Sequence, residues 1–322
     1  MREIVISQND AGQRLDKFLT KALPSLPVSM LYRAIRTKKI KVNRKRAEPR
    51  QMLTVGDVLL LFLPEDVFEG TVERDTAALS RIHTSLHIVY EDEHLLLIDK
   101  RAGVTVHKDE RGSTDTLLTA VQAYLYQRGE YNPEGEQSFA PALCNRLDRN
   151  TAGIVIAAKS AAALREMNDL IRERRMRKLY LCAVHGIPSP AEATVRAFLK
   201  KDAERNTVRI YDKNPPREAK DIATRYRTIK TKDGIALLEV ELLTGRTHQI
   251  RAHLAHLGHP LVGDGKYGIN REDRRLGYTH QALASYRLDF PSEMSEGSVL
   301  SHLAGKSFSI EPSVFDFVRL FE

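Results

Sequence analysis

The stretch "CNRLDRNTAG", Cys144 to Gly153, sets one carboxylate, Asp148, between two arginines, Arg146 and Arg149. Nearby cations favour the ionised form of a carboxylate. An ionised aspartate suits nucleophilic or electrostatic work better than acid catalysis. The tripeptide Arg-Leu-Asp carries little by itself, because it recurs at Arg14-Leu15-Asp16 and Arg287-Leu288-Asp289. Asp16 belongs in the first turn of a helix, where a carboxylate favours the dipole. Asp289 belongs on the outer face of a strand that ends at Pro291. Asp148 instead lies in a polar hinge between the apolar "PAL" and the strand-like "GIVIAA". Such a hinge accommodates either a structural turn or a working residue. Local sequence leaves both open.

Two other stretches concentrate chemistry. "LLTGRTHQIRAHLAHLGHPLVGDGKYG" (242–268) holds Arg246, Arg251 and the histidines His248, His253, His256 and His259. No cysteine accompanies them and no HExxH spacing occurs, so no metal site is expected. A turn rich in Arg and His ahead of a helix N-terminus suits a phosphate or a carboxylate instead. The run "RERRMRK" (172–178) either closes a helix with favourable cations or contacts phosphate.

The elements that must position these residues follow from periodicity. Residues 14–23 repeat Leu15, Phe18, Leu19 and Ala22 at helical spacing, and 29–38 repeat Leu31, Ala34 and Ile35, with Ser29 as a candidate cap. "IKVN", the basic turn "RKRAEP" and "VGDVLLLFLP" read as a hairpin-like pair. Residues 66–84 lack a clear period and read as a linker. From residue 85 onward, strand patterns dominate, interrupted by helices over 115–127, 160–175 and "THQIRAHLAHLG". The expected architecture is α+β: a small αα-β unit (1–65), a linker (66–84) and a mainly antiparallel sheet with flanking helices (85–322).

Charge is unevenly spread. The net formal charge is +8, and residues 1–65 hold 13 Lys and Arg against 6 Asp and Glu. A basic module before a nearly neutral body reads as a polyanion-binding unit or, more blandly, as a solubilising surface. No apolar run approaches the roughly 18–20 residues of a membrane span, and "MREIVISQND" has no signal-peptide core. Two cysteines, Cys144 and Cys182, fit a reduced cytoplasm.

The first 65 residues resemble the S-four-type RNA-binding domain, through Arg14-Leu15-Asp16, the second helix, Val42-Asn43 and Gly56-Asp57; Lys38 stands where that family usually has glycine. The whole chain resembles the RluA-type RNA pseudouridine synthases. The carriers are "IVYEDEHLLLIDKRAGVTVH", "NRLDRNTAGIVIAAKS", "RKLYLCAVHG" and the 242–268 stretch, in the family's order. The resemblance implies that Asp148 is the catalytic aspartate, Tyr180 and Lys178 the K-x-Y pair, and Arg251 the partner of the catalytic carboxylate. Arg246 belongs to the same motif. The usual histidine before R-L-D is Asn145 here, and the usual T-S-G is Thr151-Ala152-Gly153.

The implied reaction turns a uridine of RNA into pseudouridine without cofactor or metal. It implies a base turned out of its stack, with Arg146 a candidate to fill the space. Arg14, Arg33, Arg36, Lys38, Lys39, Arg44 and Arg46 would meet RNA. The implied partner is RNA, most of all 23S ribosomal RNA as for the RluC and RluD groups, with the RluC group favoured; the expected protein is a cytoplasmic monomer. Two rivals are a non-catalytic ribosome-associated RNA binder and a metal-dependent phosphoesterase using the histidines. The first leaves Asp148, Tyr180 and Arg251 without purpose; the second would be sensitive to a chelator.

Overall fold

A computed structural model of the protein describes residues 1–69, 76–107 and 115–322. The N-terminal unit runs β1 (Arg2–Val5), α1 (Leu15–Ala22), α2 (Val28–Arg36), β2 (Ile40–Val42), β3 (Lys45–Arg46) and β4 (Val58–Leu61). Its sheet has the order β1-β4-β2-β3. Leu15, Phe18, Leu19 and Ala22 of α1 and Leu31, Ala34 and Ile35 of α2 are buried against that sheet, as spacings of three and four residues require.

Ser29 does not cap α2. The helix begins one residue earlier, with Pro27 at the cap position and no side-chain cap; the Pro27 carbonyl accepts from Leu31 N at 2.9 Å. Proline's fixed φ ends the preceding turn there, which leaves Ser29 inside the first turn. After α2 the backbone passes through the left-handed region at Lys38, φ +60°. Glycine is favoured at that place because it has no Cβ to clash.

The stretch 66–84 holds α3 (Asp66–Glu69) and α4 (Thr76–Arg81); residues 70–75 of the expected linker lie outside the described residues. Val67 and Phe68 join the N-terminal core, whereas Leu79 packs with the body.

The body continues with β5 (Ile88–Glu91), β6 (Leu95–Lys100), α5 (Leu117–Gln127), β7 (Ala142–Leu143), β8 (Ala152–Ala158), α6 (Ala161–Arg172) and β9 (Arg177–His185). Then come β10 (Glu192–Asp202), β11 (Thr207–Tyr211), β12 (Lys220–Lys232), β13 (Ile235–Leu242), α7 (Gln249–His256), α8 (Arg271–Arg275), β14 (Leu283–Asp289) and β15 (Ser307–Ser309). These strands form one sheet, β11-β10-β12-β13-β9-β14-β8-β6-β5, with β15 on β14 and β7 on β8. All its described pairs are antiparallel except β14 with β8.

Alternation along the central strands builds two cores. Leu95, Leu97, Ile154, Ile156, Leu181 and Ala183 face one side, with α6 and the C-terminal segment. Leu96, Ile98, Val155, Ala157, Tyr180 and Cys182 face the other, with α5 and α7. A strand buried on both faces reads as a continuous apolar run, as "LLLI" does. The two units touch through polar contacts. Asp10, fully buried, accepts from Ser138 N at 3.0 Å and Ser138 Oγ at 2.7 Å, and Asn9 Oδ1 accepts from Ala161 N at 3.1 Å, at the start of α6.

Candidate active site

Asp148 sits in the turn between β7 and β8, and its carbonyl accepts from Thr151 N at 3.0 Å. Three features hold this turn. Asn145 extends the pairing of β7 along β8: its Nδ2 donates to the Ile154 carbonyl at 3.2 Å and its Oδ1 accepts from Ile156 N at 2.8 Å. An amide, with one donor and one acceptor side by side, mimics a peptide group there. Thr151 is buried and accepts from Gln281 Nε2 at 3.1 Å. Gly153, φ +107°, lies against β14 so closely that an added Cβ would stand 2.1 Å from the Ser285 carbonyl oxygen. Only glycine lets the parallel pair form beside the turn.

Lys100, at the end of β6, is 1% exposed. Its Nζ donates to the carbonyls of Arg101 (3.0 Å), Val104 (3.1 Å) and Arg149 (2.8 Å). Three acceptors match the three protons of an ammonium group, so Lys100 ties the 101–104 loop to the residue after Asp148. Burial lowers its pKa to about 8, against the opposing charges of Asp148 and Asp99.

Arg251, on the first turn of α7, is buried and spans two carboxylates. Nε and Nη2 donate to Asp264 Oδ2 (2.7 Å) and Oδ1 (2.9 Å), and Nη1 donates to Asp148 Oδ2 (2.8 Å). Burial works against the guanidinium's charge, but hydrogen bonds and attraction from Asp264 and Asp148 raise its pKa above the ordinary value. Asp264 is 1% exposed. Burial would raise its pKa too, yet Arg251 and the backbone N–H groups of Lys266 and Tyr267 outweigh that and hold it down. The pair is therefore ionised at neutral pH. Asp148 keeps some solvent access, with 27% of its side chain exposed, and Oδ1 has no hydrogen-bond partner among the described residues.

Tyr180 projects from β9 onto the same face as Leu147 and Ile250. Burial pushes its phenol up to about 12, the Ser285 hydroxyl opposing and the Asp148 charge adding. It stays protonated at neutral pH: an apolar ring with a hydroxyl that shares the electrostatic field of Asp148. Lys178, two residues earlier, is half-buried and lies near the backbone at Gly245. Burial lowers its pKa. Arg146 and Arg246 are exposed.

The other cations separate into two groups. Arg33, Arg36, Lys38, Lys39, Arg44 and Arg46 are exposed on the N-terminal unit, and none has a carboxylate partner among the described residues. Arg14 is committed to the protein: its Nε donates to Asp16 Oδ1 at 3.0 Å, and Tyr32 Oη donates to the same buried carboxylate at 2.7 Å. The run 172–178 is likewise largely engaged, Arg172 with Asp169 (2.7 Å), Arg175 with the Glu293 carbonyl (2.6 Å) and Arg177 with Glu241 (2.9 Å).

The histidines disperse. His253 bonds Thr224 Oγ1 (3.0 Å), His256 bonds Asp212 (2.9 Å), and His259 bonds the His185 carbonyl (3.1 Å). Among the described residues no three metal-ligating side chains gather. Asp264, Lys100 and Tyr267 were not singled out in the sequence, although "GDGKYG" and "IDKRAG" contain them. Nothing in their spacing marks a contact with residues more than ten positions away.

A turn-borne aspartate held by a buried arginine, next to a buried tyrosine on a mixed sheet, defines the class. The chain belongs to the RNA pseudouridylate synthase family, whose model matches residues 94–256; an S4 domain model matches residues 13–59. The chain is 34% identical over 304 residues to a Vibrio cholerae protein named ribosomal large subunit pseudouridine synthase C, covering 93% of this chain and 91% of that one. It is 33% identical over 274 residues to the Escherichia coli K12 protein of the same name, covering 85% and 82%. In fold it is similar to human RNA pseudouridylate synthase domain containing 4, with a TM-score of 0.55 at 21% identity over 74% of this chain and 92% of that one. Human RNA pseudouridylate synthase domain containing 1 gives 0.52 at 23%, over 74% and 94%.

Proposed function

We propose that this pseudouridine synthase acts on uridines of large-subunit (23S) ribosomal RNA, with Asp148 as its catalytic residue. The observation that carries the assignment of Asp148 is the hydrogen bond from Arg251 Nη1 to Oδ2, 2.8 Å, in a side chain that is 27% exposed and whose Oδ1 has no hydrogen-bond partner among the described residues. Arg251 keeps the carboxylate ionised and oriented. Oδ1 is then free to add to the anomeric carbon or to take the 2′ proton of the sugar. Either step breaks the bond between nitrogen 1 of the base and the anomeric carbon of the sugar. Carbon 5 then bonds that carbon as the Asp148 ester is cleaved or the 2′ proton is returned, and carbon 5 gives up its proton while nitrogen 1 gains one. The isomerisation gains and loses no electrons. Tyr180 offers its ring to the base and its hydroxyl to the region where the carbon 5 proton leaves.

The target uridine has to leave its stack to reach Asp148. Arg146, exposed two residues before Asp148, fills the vacated place, with Lys178 and Arg246 on the surrounding phosphates. The choice of large-subunit RNA rests on the names carried by the relatives from Vibrio cholerae and Escherichia coli. In the same proposal, residues 1–65 bind RNA, 66–84 link, 85–322 catalyse, and the enzyme works as a cytoplasmic monomer. No helix among the described residues is long and apolar enough to cross a membrane.

The test is pseudouridine mapping on 23S ribosomal RNA with wild type, Asp148→Asn and Asp148→Ala. Both variants are expected to stay folded, bind RNA and form no pseudouridine, while Asp16→Asn keeps its chemistry. Turnover by Asp148→Ala would refute the assignment.

A further inference from the structure

His248 stands at the cap position of α7 with φ +54°, in the left-handed region. That conformation is uncommon for a residue with a full side chain, and asparagine or glycine takes it more readily. What the imidazole gains is a defined place between two groups. Its Nδ1 lies 2.8 Å from Tyr267 Oη, and its Nε2 lies 3.7 Å from Asp148 Oδ2.

The hydrogen-bond chain behind the ring determines where its proton sits. Val208 N donates to Tyr267 Oη at 3.0 Å. The phenol oxygen is thereby an acceptor, and its own proton has Nδ1 as its acceptor among the described residues. A neutral imidazole that accepts at Nδ1 carries its proton on Nε2, the nitrogen that faces Asp148. Burial keeps the ring neutral. Burial lowers its pKa most; Asp148 opposes this, Arg251 and Lys266 reinforce it, and Asp264 opposes it again, with a net downward shift.

We infer that His248 is a positioning residue for Asp148: a neutral Nε2–H donor that joins Arg251 in holding Oδ2, so that Oδ1 is the oxygen that reacts. This rests on the assignment of Asp148 proposed above. At 3.7 Å the contact is open in the free protein, and it shortens to a hydrogen bond when RNA closes the site. Catalytic contacts are often long before substrate binds.

Two substitutions separate this role from a structural one. Asn in place of His248 suits the left-handed backbone and can still bond Tyr267, but it is too short to donate where Nε2 does. Gln fits the backbone less well, yet its amide nitrogen reaches that point. His248→Asn is expected to lower kcat on transcribed 23S ribosomal RNA by about tenfold or more with KM unchanged, and His248→Gln to recover most of the loss. If His248 only shapes the backbone, the order reverses: Asn keeps full activity and Gln does not. That order overturns the inference.

Nitrogen-15 NMR of the RNA-free protein provides an independent reading. The expected spectrum has His248 protonated on Nε2 and bare on Nδ1, with the preference relaxed in Tyr267→Phe. A proton on Nδ1 overturns the inference whatever the activities. Turnover by Asp148→Ala would overturn the assignment of Asp148 and this role with it, whereas the nitrogen spectrum would still report the tautomer.

Discussion

Asp264 occupies Arg251 along one full edge of the guanidinium, Nε and Nη2 at 2.7 and 2.9 Å, and so leaves Nη1 to present itself to Asp148. The buried carboxylate aims the arginine, and the arginine aims the partly exposed carboxylate. A bidentate grip gives direction as well as energy.

Asp264→Asn retains volume and loses that grip. Breaking a buried ion pair by removing one partner costs about 3 kcal/mol or more, so the variant should melt earlier at pH 7. Its kcat should fall by about a hundredfold, because small misplacements of reacting groups are that costly. The pH dependence follows from the depressed pKa of Asp264. A group held below its unfolded value stabilises the fold above that value and loses the contribution as pH falls through its folded one. The gap in stability between wild type and Asp264→Asn should therefore close as the solution is acidified through the carboxylate range. Denaturant titrations at several pH values measure it.

Lys100 gives a prediction of opposite sign. Its ammonium protons are all engaged by carbonyls, and its pKa is lowered to about 8. Losing one proton leaves a carbonyl without a donor and loosens Arg149, next to Asp148. Activity should decline as pH rises through about 8. Global stability should not decline with it. The folded pKa lies below the ordinary 10.5, so between the two values the unfolded chain binds more protons, and stability from this group rises with pH. Lys100→Met should lose activity at every pH and about 1–3 kcal/mol for each acceptor left bare. Paired rate and melting profiles over that range decide it.

Much of the site was legible as motif and little of it as geometry. Asp148 stood out because two arginines flank it inside a polar hinge, and the 242–268 stretch because its Arg and His content exceeds what a surface helix needs. The α1 face and the doubly buried "LLLI" strand were readable because helical and buried-strand periods are local. Asp264 and Lys100 were not: each acts on a residue 13 and 49 positions away, respectively. Asn145 looked like a lost histidine, but its amide closes a ladder with β8, and that requires knowing that the two segments pair. Ser29 has cap chemistry, but Pro27 takes the cap position and the helix starts at Val28, which puts Ser29 inside the first turn.

Gly153→Ala should be among the most damaging small substitutions in the chain. The added methyl would stand 2.1 Å from the Ser285 carbonyl oxygen, at φ +107°. Both partners are backbone in adjacent strands, with Ser285 opposite Gly153, so neither can rotate away. Overpacking and positive φ together should cost about 3 kcal/mol or more. Ala152→Gly, one residue earlier, serves as a control expected to cost much less. Urea midpoints for the two variants test the difference.

The six exposed cations of the N-terminal unit should set the salt dependence of RNA binding more than the chemistry. Arg33 and Arg36 lie on α2, Lys38 and Lys39 follow it, and Arg44 and Arg46 lie in or beside the β2–β3 turn. With no acidic partners among the described residues, each is free to displace a counterion from a phosphate. A cation that does so contributes about 0.7 to 0.9 to the slope of log K against log salt. Arg33→Gln combined with Arg36→Gln should therefore flatten that slope by about 1.4 to 1.8, while the rate at saturating RNA stays unchanged. Arg14→Gln should behave differently. It leaves Asp16 buried beside Tyr32 with its guanidinium partner gone, so stability should fall while the slope scarcely moves. Binding isotherms at a series of potassium concentrations, with melting curves for each variant, separate the two outcomes. An unchanged slope in the double variant would place the principal phosphate contacts elsewhere.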